Sequence, residues 1–194
     1  MIVVHPKDPS TRFLHLIYEE LENVRFFNSM RQREQIIDAL RTAPKDEMIL
    51  LLGHGTPHGL IGGFICDDDA ELLQDRPNLV GVWCFASTFA RRHKLKGFFT
   101  GMFISEWGEA VDNGVEAGYE EIIEENWRFA GVFGDLLRSG HSLEETAGML
   151  MDKNNIHSEL TSFNYSRLTY RRTGLEPLPV AEDYWGQDPF PEEI

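Results

Sequence analysis

The sequence predicts an α/β fold: a largely parallel sheet covered by helices on both faces. Three observations carry that expectation. Short, unbroken apolar runs recur at residues 2–4, 48–52 and 79–83, the pattern of strands buried on both faces. Segments with helical spacing of apolar residues lie between them, as the crossover between parallel strands requires. Turn residues, among them Pro9, Gly53 and Pro77, punctuate the junctions.

Taken in order, residues 2–4 form a first strand, followed by a turn through Asp8, Pro9 and Ser10. Phe13, Leu14, Leu16, Ile17, Leu21 and Val24 recur at helical spacing, with Ser10 or Thr11 as cap. Residues 24–27 are a short strand. Ser29 caps a helix carrying Ile36, Ile37 and Leu40, which Pro44 ends. The run at 48–52 leads into Gly53-His54-Gly55. Glycines bend the ribbon at 59–65. A short helix starts at Asp67 to Asp69, and the run at 79–83 ends in Cys84. A helix around Phe89 and a strand from Phe98 to Ser105 follow.

The second half reads as mostly helical. Ile122, Trp127, Phe129, Phe133 and Leu137 line one long helix that stops at Gly140. Ser142 and Glu145 have the spacing of a capping box. Residues 163–170 alternate as a last edge strand. Residues 173–194 form an acidic tail holding four of the nine prolines, with Trp185 and Phe190 as anchors to the surface. The remaining chain, 1–172, is one domain with a substantial core.

The formal charge of −14 excludes a nucleic-acid partner by expectation, because phosphate neutralisation needs clustered Lys and Arg. Two cysteines, Cys66 and Cys84, are too few for a disulfide scaffold. The amino-terminal residues do not form a secretory leader, and no run reaches the ~18 apolar residues of a membrane span. The expectation is a cytoplasmic protein with free thiols and no membrane partner. There is no glycine-rich phosphate loop.

The chemistry centres on His54 and Cys84. Each follows a predicted buried strand, so adjacent strands would bring a base and a thiol to one crevice at the carboxyl edge of the sheet. An imidazole beside a thiol is the pattern of covalent catalysis. Gly53 and Gly55 let the chain turn sharply around His54 and leave room for a substrate. The helix predicted after Cys84 would favour its thiolate, and the backbone amides of Gly55 and Cys84 would bind an oxyanion. Cys66, beside three aspartates, is the worse nucleophile. His58 lies four positions after His54, but Gly55, Pro57 and Gly59 rule out the helix a zinc pair would need, so no metal is expected.

These residues resemble the caspase-like (clan CD) cysteine peptidases, closest in pattern to the CHAT group. The sequence from Leu50 through Gly53-His54-Gly55 is similar to the family's histidine motif. Val80-Gly81-Val82-Trp83-Cys84-Phe85-Ala86-Ser87 is similar to its cysteine motif. Gly101 through Trp107 looks like the strand that follows in CHAT-type members, and the region around Gly140 and Ser142 resembles a late helix–Gly–Ser–helix region. The resemblance spans about residues 1–172. It implies a caspase-like three-layer α/β/α sandwich with a mostly parallel central sheet. It also implies a peptidase acting on peptide or protein substrates, with His54 as general acid/base, Cys84 as nucleophile and no cofactor. The chain departs from the family in carrying Val82 where many members have a polar residue. It also lacks the common Cys-x-Ser-Gly continuation.

Around the same crevice, Ser105, Glu106, Trp107 and Asp112 are expected to build the specificity pocket, with His58 in a loop nearby. A buried carboxylate there would favour Arg or Lys in the substrate. Two rival functions remain. One is a catalytically inactive caspase-like module that binds a partner through the crevice. The other is a flavodoxin-like or other α/β enzyme in which the two residues meet by accident.

Overall fold

The computed structural model describes residues 1–176 of the chain. In chain order it contains β1 (Ile2–Val4), β2 (Arg25–Phe27), α1 (Arg33–Thr42) and β3 (Ile49–Leu52). These are followed by a small hairpin, β4 (Gly55–Thr56) and β5 (Gly59–Leu60), then α2 (Ala70–Leu73). The second half holds β6 (Leu79–Val82), α3 (Ala86–Arg92), β7 (Gly97–Thr100), α4 (Trp107–Asp112) and α5 (Tyr119–Arg138). The last elements are α6 (Leu143–Leu150), α7 (Glu159–Tyr165) and β8 (Leu168–Arg171).

The main sheet has six strands in the order β2-β1-β3-β6-β7-β8, and only the β7–β8 pair is antiparallel. Helices cover both faces, giving a three-layer α/β/α sandwich. Period-two alternation sends successive side chains to opposite layers. Ile2, Val4, Ile49, Leu51, Leu79 and Phe99 pack toward α1 and α3. Val3, Leu50, Leu52, Val80, Val82 and Phe98 pack toward α5 and α6. Because both layers are apolar, every residue of β3 is fully buried, which accounts for its unbroken Ile-Leu-Leu-Leu run.

The topology makes the crevice. The chain leaving β1 enters a 3-10 helix (Arg12–Ile17) on the α5 layer, whereas the chain leaving β3 runs to the opposite layer. Strand order therefore reverses between β1 and β3, and the diverging loops open the carboxyl edge of the sheet there.

Three expectations are corrected. In the segment at 13–24 the only helix is the 3-10 helix Arg12–Ile17, and the chain from Tyr18 to Val24 is turn and bend rather than a continued α-helix. Residues 163–165 belong to α7, because Ser158 accepts from Thr161 N at 3.2 Å and Leu160 and Tyr165 fill the core. The last strand is only Leu168–Arg171, at the sheet edge. The strand after Cys84 stops at Thr100, where Gly101 N turns to Arg167 O at 2.8 Å.

Residues 173–176 stay tied to β8 through Arg171, which donates to the Gly174 and Glu176 carbonyls at 2.6 Å each. The rest of the predicted tail, with Trp185 and Phe190, lies outside the described residues. Among the described residues, no helix is long and apolar enough to cross a membrane.

Candidate active site

His54 and Cys84 follow adjacent strands, with β3 and β6 paired in parallel from Ile49–Leu79 to Leu52–Val82. The two glycines around His54 have different reasons. Gly53 has φ +138°, a conformation side chains rarely adopt, and its N–H donates to Val82 O at 3.0 Å. Gly55 is needed for close approach, because a Cβ there would lie 1.9 Å from the Trp83 indole. Trp83 is 2% exposed and donates Nε1–H to Thr56 O at 3.1 Å, so it fastens the β4 hairpin to the cysteine loop.

Cys84 sits on a sharp strand-to-helix turn. Phe85 is left-handed, with φ 70°, and its N–H donates to Gly101 O at 3.1 Å. That conformation is costly for an aromatic residue and is held by its surroundings. Thr100 anchors the same turn twice. Its hydroxyl accepts from Trp83 N at 3.1 Å and donates to Trp83 O at 2.8 Å. Adding a Cβ to Gly81 would place it 2.6 Å from the Trp83 ring, so that glycine also makes room for the indole.

His54 and Cys84 line one narrow cleft, with Thr11, Phe13, Phe103 and Ser105 among its walls. Its volume of about 20 Å³ admits a water molecule and not a substrate side chain. Among the described residues no hydrogen bond joins sulfur and imidazole. The thiol instead faces Phe103 O at 3.5 Å and Glu109 Oε1 at 3.6 Å. Burial first, then the charge of Glu109, pushes the Cys84 thiol up to about 12. The start of α3 does not offset them, which corrects the expectation of a favoured thiolate.

The imidazole has its own support. His54 Nε2 lies 2.6 Å from Ser10 Oγ, and Ser10 Oγ donates to Asp8 Oδ1 at 2.6 Å. Ser10 N also donates to Asp8 Oδ1 at 2.9 Å, and these two bonds hold the Asp8 carboxyl below its usual range. With the hydroxyl proton spent on Asp8, Ser10 accepts from Nε2–H. Nδ1 is then the basic nitrogen of His54. Sequence reasoning placed Asp8 and Ser10 only in a turn and a cap. Their position directly after β1, next to β3 in the sheet, is the signal that could have found them.

The remaining predicted residues divide. Ser105 lines the cleft, and its N–H and hydroxyl donate to Glu109 Oε2 at 2.7 and 3.1 Å. Glu106 Oε1 stands 4.0 Å from His54 Nε2. Ser105, Glu106 and Trp107 share an adjoining pocket. Asp112 does not line it; it ends α4 as an exposed residue. His58 sits at the hairpin tip with Nδ1 2.7 Å from Asp67 Oδ2, and His93 Nε2 holds the other oxygen at 2.6 Å. That interaction keeps His58 with the hairpin and α3 rather than in the cleft wall. Glu109, which sequence reasoning left out, turns out to be the thiol's nearest carboxylate.

Comparison with protein-family models, curated proteins and solved structures gives no match for the chain.

Proposed function

We propose that the chain is a caspase-like cysteine peptidase, or a related amide hydrolase, acting on peptide or protein substrates. The observation that carries this reading is the parallel pairing of β3 with β6, which puts a histidine and a cysteine into one cleft at the carboxyl edge of the sheet, beside the β1–β3 switch point. Cys84 attacks the scissile carbonyl, and its proton passes to His54 Nδ1. His54 then protonates the departing amine, and water releases the acyl group from sulfur. The Cys84 amide and the Gly55 amide are the oxyanion donors in this reading. Ser10 and Asp8 hold the ring and stabilise the imidazolium through Nε2–H. Sulfur and imidazole suffice for each step, so no cofactor is required. Both cysteines are free, and a cytoplasmic location belongs to the same proposal because a reducing compartment preserves a reactive thiol.

In the resting arrangement the thiol is neutral and the cleft is closed. Substrate binding has to open the cleft and separate Cys84 from Glu109 before attack. The same observation favours a second reading, a catalytically inactive binding module. Treatment with a peptidyl chloromethyl ketone, followed by peptide mass mapping, separates the two. The hydrolase is modified at Cys84 and loses modification in His54→Ala with its fold intact. Absence of modification across pH 6–10 in the folded protein rejects the hydrolase and leaves the binding module.

A further inference from the structure

A cavity of about 560 Å³ opens beyond β1 and β2, and it shares no lining residue with the cleft of His54 and Cys84. That volume is in the range of small-ligand sites. Open α/β sheets bind ligands in such a place, outside the carboxyl ends of their strands. Two backbone bonds carry the β1–β2 pairing onward into the wall. His5 N donates to Phe27 O at 2.9 Å, and Lys7 N donates to Asn28 O at 3.2 Å.

Part of the lining is aromatic. Tyr18 and Phe26 lie with ring centroids 5.5 Å apart and planes tilted by 32°, and Phe26 is 42% exposed. Tyr18 is anchored, its hydroxyl 2.9 Å from Nδ1 of the buried His5. Two cations join the rings. Among the described residues, neither the Lys7 ammonium nor the Arg12 guanidinium has a hydrogen-bond or ion-pair partner. The other charged groups of the wall are engaged. His15 has Nδ1 2.7 Å from Arg12 O and Nε2 2.9 Å from Glu19 Oε2. The Asp8 carboxylate accepts from both Ser10 N and Ser10 Oγ.

We propose that this cavity binds a small aromatic anion, an aryl carboxylate or aryl phosphate, with its ring against Phe26 and Tyr18 and its anionic group between Lys7 and Arg12. The site stands apart from the dyad and does not depend on the hydrolase reading. Ring faces favour a planar apolar body. A guanidinium pairs with two oxygens of a carboxylate or phosphate, and an ammonium adds a point charge. A cationic ligand would meet both free cations. An anion without a ring would gain only exposed ion pairs, which are weak. The net charge of −14 repels anions at long range, so a bound anion reports local cations rather than bulk attraction. Pro9 and Arg12 also border the pocket of Glu106 and Trp107, so Lys7 and Phe26 are the residues that mark this site.

Titration calorimetry and amide chemical-shift mapping on the full-length protein test this. The probes are naphthoate, naphthyl phosphate, naphthalenemethanol and inorganic phosphate. One aryl anion or both should bind at least about 5-fold more tightly than the alcohol and than inorganic phosphate. The tighter of the two names the head group. Shifts should centre on residues 5–12 and 26–28. Lys7→Gln, at an exposed position, should weaken the preferred anion about 3- to 5-fold, and so should a tenfold rise in salt. Phe26→Ser should weaken the alcohol and the aryl anions alike. An alcohol that binds as tightly as both aryl anions overturns the proposal, as does inorganic phosphate that matches them. Unchanged binding in folded Lys7→Gln, or shifts centred on residues 105–107, overturns it too. So does the failure of both aryl anions to bind at millimolar concentration. Ketone modification of Cys84 tests the hydrolase separately, and either result can fail while the other stands.

Discussion

The Cys84 sulfur lies 3.6 Å from Glu109 Oε1, and the same glutamate accepts from the N–H groups of Ser105 and Glu106 through Oε2, at 2.7 and 3.0 Å. One carboxylate thus organises the start of α4 and opposes ionisation of the candidate nucleophile.

Glu109→Gln should lower the Cys84 pKa from about 12 toward its ordinary value of 9.0. Alkylation by iodoacetamide, followed against pH at Cys84, should shift its midpoint downward by about one unit or more, since removing an adjacent charge in a buried site has that size. An unchanged midpoint would leave burial as the whole cause. The raised pKa also has a stability consequence. The folded state holds its proton longer than the unfolded chain, so the stability present below pH 9 is lost as pH rises toward 12. Cys84→Ala should flatten that loss in urea denaturation.

Ser10 links His54 to Asp8, and Ser10→Ala breaks both bonds. Turnover of a peptide amide should fall roughly 10- to 100-fold through kcat, as misorientation of a catalytic group does. Ser10→Thr should restore most of it, and the melting temperature should hardly move, because the Asp8–Ser10 bonds are solvent-exposed. A loss confined to KM would assign Ser10 to substrate binding instead.

His5, directly after β1, is buried with Nδ1 2.9 Å from Tyr18 OH and Nε2 3.3 Å from Thr11 Oγ1. Burial above all lowers its pKa from 6.5 to about 4. The unfolded chain binds this proton first, so the contribution is complete above pH 6.5 and is lost as pH falls through 4. Its upper size is about 3 kcal/mol. Urea denaturation at pH 7 and pH 4 should show a smaller difference for His5→Gln than for the parent. Parallel curves would place the acid sensitivity elsewhere.

Gly55→Ala sets a methyl group against the Trp83 ring, with 1.9 Å between the added carbon and the indole. The indole has to move, and overpacking of this kind costs about 1–3 kcal/mol. A lower denaturation midpoint with altered near-UV dichroism is the expected result. An unperturbed spectrum and midpoint would show that the hairpin can shift without the indole.

Much of the framework was legible because its signals are local. The apolar runs at β1, β3 and β6 named buried strands. The helical period of Ile122, Phe129 and Phe133 named α5, and Ser142 with Glu145 named the start of α6, where Ser142 Oγ accepts from Glu145 N at 3.2 Å. Local pattern misled where two structures share it. Residues 163–170 alternate as a strand would, but the Ser158 cap, with Leu160 and Phe163 packed in one cluster and Tyr165 in another, decided for a helix up to Tyr165. Asp8 and Ser10 showed only a turn and a cap, and Glu109 and Asn126 carried no pattern that tied them to the cleft.

By itself, the sequence determined the buried strands β1, β3 and β6 and the long helix α5, and that a histidine and a cysteine lie just past two of those strands. Burial and periodicity are properties of a few consecutive residues, so a linear text records them. Only the tertiary structure decided that β3 lies between β1 and β6. That order sets His54 against Ser10, Cys84 against Glu109, and Asn126 beside Ser105. These contacts join residues brought together by strand pairing and helix packing, and side-chain chemistry at hydrogen-bond range depends on that proximity rather than on separation along the chain.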